Sequence, residues 1–111
     1  MTSSKTYEGP IDPAAKTALE ELQSPGEPNL YEQVVEAFLE GSENYLELLS
    51  TDPSPDKING IAHSWKSSSA TLGALALSEL CAELEAHPDR LHLVPQLAIE
   101  YKKVKTALNT P

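Results

Sequence analysis

The stretch "AHSWKSSSATLGA", residues 62–74, gathers the side chains of this 111-residue chain most able to do chemistry. His63 offers an imidazole, Lys66 a positive charge three residues on, and Ser67, Ser68 and Ser69 three consecutive hydroxyls. An imidazole is largely neutral near pH 7. One ring nitrogen then keeps a lone pair for a proton, a metal or an electrophilic phosphorus. Metal ligation fits poorly. Cys81, His87 and His92 lack compact zinc spacing, and His63 has no His or Cys at i+3 or i+4. A hydrolytic triad needs an activated nucleophile and an oxyanion site, whereas hydroxyls inside a helix often bond the carbonyl four residues back. No metal site and no hydrolase site are therefore assigned, and a solvated surface His stays open as the bland reading.

The role of His63 depends on where it points. The segment reads as a helix capped by Asp56 and ended by Gly73 at the C′ position. Its apolar stripe is Ile58, Ile61, Ala62, Trp65 and Leu72, with Ser69 falling inside it. His63 lies roughly 150° from the centre of that stripe at about 100° per residue. Lys66, Ser67 and Ala70 follow on the His63 side, at i+3, i+4 and i+7. The face is one His, one Lys and otherwise small side chains, a flat surface on which another protein can lie close to the imidazole. Ser67, Ala70 and Asn59 are assigned to that docking face.

Four further helices are predicted around it. "IDPAAKTALEELQ" is a short one, with Asp12 as N-cap and Pro13 at N1. After the breaker "SPGEPN", Asn29 and Glu32 have capping-box character and open "LYEQVVEAFLEGSENYLELLS". Tyr31, Phe38 and Tyr45 keep a constant spacing across Gly41-Ser42, which gives one long helix or two nearly collinear ones. "TDPSPD" is a loop, "ALALSELCAELEAH" a helix ended by His87-Pro88, and Pro95 is placed at N1 of a last helix. That helix carries Leu97, Ala98, Tyr101, Val104 and Leu108 on one stripe. There is no strand pattern, phosphate-binding glycine loop or solenoid repeat. The expected fold is all-α: an antiparallel up-and-down four-helix bundle over residues 11–109, with the short extra helix across one end. Residues 1–10 read as a disordered tail.

Composition narrows the partners. With 17 acidic residues against 8 basic ones, the net charge of −9 disfavours nucleic acid and anionic membrane surfaces, both of which need clustered cations. The one basic cluster, "YKKVK", sits where cations favour a helix C-terminus. No apolar run approaches a membrane span, the N-terminus has no secretory h-region, and one Cys makes no disulfide framework. A cytoplasmic monomer is the expectation. Cys81 and Trp65 fall on inward stripes and read as core; His87 and His92 flank a loop and are assigned no chemistry.

The string "AHSWKSSSATLGALALSELCAELE" resembles the signature of histidine-containing phosphotransfer (HPt) domains of multistep two-component relays. The matching residues are Ala62-His63, Lys66, Ser68-Ser69, Leu72-Gly73, Leu80, Cys81 and Leu84-Glu85. The flanks "IDPAAKTALEEL", Phe38-Leu39 and "EYKKVKTAL" fit the family's other helices, so the likeness covers roughly residues 11 to 108. It implies that His63 accepts a phosphoryl group from a receiver-domain aspartyl phosphate and passes it to another receiver. It also implies that Lys66 steadies that group, and that a hybrid sensor histidine kinase stands upstream. No cofactor is expected on this chain, since in the family the receiver supplies Mg²⁺, and no kinase or ATP site is expected. Ser67 departs from the family, where Gly is usual. Its hydroxyl leans toward His63 and can contact the phosphoryl group or crowd a receiver. That departure keeps a second function in play: a helical adaptor that docks signalling proteins without being phosphorylated.

Overall fold

The computed structural model describes residues 9–51 and 54–109, and all the regular structure among them is helical. The helices are α1 (Ala14–Glu21), α2 (Leu30–Thr51), α3 (Pro55–Thr71), α4 (Leu75–Ala86) and α5 (Leu93–Leu108). Helices α2 to α5 form an up-and-down bundle in which each packs on its chain neighbour and α5 closes back onto α2. Short connections between successive helices leave the chain no choice but to reverse. Helix α1 packs on α2, and the Lys16 ammonium lies over the Tyr31 ring at 5.2 Å from its centroid.

Helix α2 runs unbroken through Gly41-Ser42, and the core explains why. Ser42 is buried, and its Oγ accepts a hydrogen bond from Trp65 Nε1 at 2.8 Å. Trp65 is fully buried and meets Tyr45 and Tyr101 edge-on or tilted, with centroids 5.9 and 6.2 Å away. The indole thus fixes α3 against α2 and α5, and its one polar atom is satisfied. Leu77, Cys81 and Leu84 of α4 and Leu97 and Val104 of α5 complete the interior. Burial pushes the Cys81 thiol up to about 12, which leaves it an inert packing group.

Gly73 terminates α3 as expected, with φ +77. It is also pinned sterically: a Cβ there would lie 2.6 Å from the carbonyl oxygen of Asp12. Its carbonyl accepts from the Asp12 N–H at 2.9 Å, so the start of α1 is tied to the α3–α4 corner.

Three helix starts differ from expectation. Helix α1 begins at Ala14 with Pro13 before it, one residue later than expected, yet the Asp12 carboxylate accepts from Ala14 N–H at 3.0 Å, the capping bond expected of it. Helix α3 opens at Pro55 after Ser54, so Asp56 lies in the first turn, where a carboxylate favours the dipole rather than capping. Helix α5 begins at Leu93, which makes Pro95 its third residue. First-turn N–H groups have no intrahelical partner, so a proline there costs no bond. The Asn29 cap behaves as predicted, its Oδ1 accepting from Glu32 N–H at 2.9 Å. Of the predicted tail, residues 1–8 lie outside the described residues and Pro10 is half-buried; Ile11, the first residue of the predicted domain, packs on the core.

Candidate functional site

Trp65 and His63 are two residues apart on one helix and point to opposite sides. Burying the indole therefore forces the imidazole outward, and its side chain is 64% exposed at the middle of α3. Asn59, Ser67 and Ala70 surround it and are exposed as well. His63 lines neither the cleft between α2 and α3 nor the one between α2 and α5. It stands on an open surface.

The imidazole is not free to swing. Its Nδ1 lies 2.7 Å from Oε2 of Glu85, near the end of α4. The other oxygen of the same carboxylate accepts from the Lys66 ammonium at 2.6 Å. Asn59 donates to the Glu85 carbonyl at 2.9 Å, and Ser78 donates to the Lys66 carbonyl at 3.0 Å. These four bonds clamp α4 alongside the face that carries His63. A carboxylate can only accept, so the ring hydrogen belongs on Nδ1, and Nε2 keeps the lone pair. The bond to Lys66, then that to His63, hold the Glu85 carboxyl below the usual carboxylate range. The charge that fixes the ring orientation is thus present at neutral pH.

Two differences from the sequence reading matter. Lys66 is not an outward, unpaired cation: it is half-buried and leans to α4, where Glu85 holds it. At 300° round the helix from His63, it sits at the edge between the exposed face and the α3–α4 seam. Glu85, quoted only as part of a signature, turns out to organise the site. Only its need for a partner could be read from the sequence. It falls next to the inward stripe of Leu77, Cys81 and Leu84, where an acid needs a partner. Elsewhere Arg90 pairs with Glu83, and Lys105 and Tyr101 share Glu43, away from His63. Among the described residues no group of three or more His, Cys, Asp or Glu could hold a metal ion.

Comparison with known proteins gives the decisive observation: residues 33–107 match the family model of the Hpt domain. The chain belongs to the Hpt domain family. Histidine phosphotransfer in two-component phosphorelays, in partnership with receiver domains and histidine kinases, is accordingly its role. The crystal structure of histidine-containing phosphotransfer protein B from Pseudomonas aeruginosa superimposes with a TM-score of 0.73, covering 88% of this chain and 90% of that one. The two sequences are 23% identical, so this likeness establishes the shared fold. A search of curated proteins returned no match. Hpt domains are phosphocarrier modules. The candidate site on this Hpt domain is an exposed ring in the middle of a helix rather than a pocket.

Proposed function

We propose that His63 is the phosphoryl carrier of this Hpt domain, loaded by the aspartyl phosphate of one receiver and discharged to the aspartate of another. The observation that carries the reading is the pairing of an exposed mid-helix imidazole with a carboxylate on Nδ1, which leaves Nε2 as the outward nucleophile. In the forward step the Nε2 lone pair forms a bond to phosphorus. The P–O bond of the acyl phosphate breaks, and its electron pair leaves on the receiver carboxylate. The Nδ1 proton stays on the ring, facing Glu85. The open surface requires the partner to close the site, and the receiver would bring its own Mg²⁺; no cofactor is assigned to this chain.

Lys66 contributes positive charge at the loaded state. At about 5 Å a lysine is worth roughly 1–3 kcal/mol to a new negative charge, nearer the lower figure at a solvated edge. Because Glu85 shares the ammonium, Lys66 supports the phosphoryl group without trapping it. Ser67, Ala70 and Asn59 form the surface that a receiver covers. The domain works as a monomer in the cytoplasm on this reading: its exposed large apolar side chains, Leu22, Leu48, Leu75, Leu91 and Ile99, are scattered over different segments. No helix among the described residues is long and apolar enough to cross a membrane.

The test is labelled transfer from a phosphorylated receiver. His63→Gln should take no acid-labile label and, because a Gln amide can still donate to Glu85, should melt close to the parent. His87→Gln and His92→Gln should label normally. Label remaining on the His63 variant defeats the assignment, and docking without any label favours the adaptor.

A further inference from the structure

Most hydroxyls on these helices are spoken for. Ser50, Thr51, Ser68, Thr71 and Thr106 each donate to a carbonyl three or four residues back. Ser67 does not. Its backbone carbonyl accepts from Thr71, but among the described residues its own Oγ has no hydrogen-bond partner. It is exposed one helical turn beyond His63, where Cβ atoms stand about 5–6 Å apart and side chains tilt back toward the N-terminus. The neighbour one turn on the other side, Asn59, gives one of its two amide N–H groups to the Glu85 carbonyl, and its side chain tilts toward the N-terminus, away from His63. Ser64, the remaining nearby hydroxyl, projects about 100° away around the helix. Lys66 is shared with Glu85. Ser67 therefore offers an uncommitted hydroxyl one turn C-terminal to His63, tilted back toward it.

We propose that the Ser67 hydroxyl donates a hydrogen bond to the phosphoryl group once it is on His63, and so biases the transfer equilibrium toward the histidine rather than the receiver aspartate. This rests on His63 being the carrier. A hydrogen bond to a charged oxygen is among the stronger neutral-donor contacts, and partial exposure weakens it to about a three- to tenfold effect on an equilibrium. Steric bulk at the same position acts differently. It alters the approach of the receiver, and so the forward and reverse rates together, while the partition between the free species stays fixed.

The experiment separates the two. The chain is loaded with phosphoramidate: the Nε2–P bond forms, the P–N bond of the reagent breaks, and ammonia leaves with a proton from solvent. One purified receiver domain that exchanges label with the parent chain is then added, and both the rate and the final partition are measured. Ser67→Ala should shift the partition toward the receiver about three- to tenfold. Ser67→Gly should shift it equally and exchange at least as fast as the parent, having no side chain to crowd the receiver. Ser67→Thr, which keeps the hydroxyl, should restore the parent partition at a lower rate. A parent-like partition in both Ala and Gly variants overturns the proposal while leaving His63 as the carrier. Failure of the parent chain to take acid-labile label from phosphoramidate or from a receiver overturns both.

Discussion

Glu85 carries more of the site than its place in the sequence suggests. It orients the imidazole, sets its tautomer and holds Lys66, all through one carboxylate. Its partners hold its folded pKa below the ordinary value, so deprotonated Glu85 stabilises the fold. That contribution is fully present above the ordinary carboxylate range and is lost as pH falls through the depressed folded value. Glu85→Gln mimics the protonated state. Its melting temperature should trail the parent's at neutral pH, and the gap should close on acidification through that window. It should also slow phosphoryl acceptance, since an amide can present either a donor or an acceptor to Nδ1. A stability gap that stays constant into strong acid would assign the effect to packing instead of charge.

At the scale of elements, the corner between α3 and α4 sets the position of everything on them. Gly73 is needed there twice, for its positive φ and for the close approach of Asp12. Gly73→Ala should cost at least about 1–3 kcal/mol from the backbone conformation alone, with the clash in addition. Thermal or urea melts measure it, and a loss under 0.5 kcal/mol would mean the corner relaxes freely. This glycine was legible from sequence, as were the five helices and the outward phase of His63, because each rests on local periodicity or a local cap. The starts at Ala14 and Pro55 were not, because Asp12-Pro13 and Ser54-Pro55-Asp56 offer several equivalent caps within two residues, and the start at Leu93 was not, because no side chain caps it. The Glu85 clamp was not legible either. It joins residues 22 apart on two helices, and the spacing rules that place Ser67 beside His63 act only within one helix. The inward lean of Lys66 follows from that same unseen partner.

For the whole molecule, the proposed carrier role asks for a scaffold that does not yield when a charged group is added to its surface. Trp65 is the test of that scaffold. It lies two residues from His63, is fully buried, and ties α3 to α2 through Ser42 and to α5 through Tyr101. Trp65→Ala should cost about 3–5 kcal/mol, the usual range for deleting a large buried aromatic. A domain of ordinary stability has only about 5–15 kcal/mol to lose, so the variant should be close to unfolding at growth temperature. Trp65→Phe keeps most of the volume but leaves Ser42 Oγ without its donor, and should fall between the two. If His63 reaches the receiver through a rigid helix, transfer by the Phe variant should remain near the parent's at temperatures well below its melting point and then fail along its melting curve. Transfer that drops while circular dichroism still reports a full helical signal would show that α3 loosens locally, and that the tight core is needed to aim the imidazole as well as to hold the bundle together.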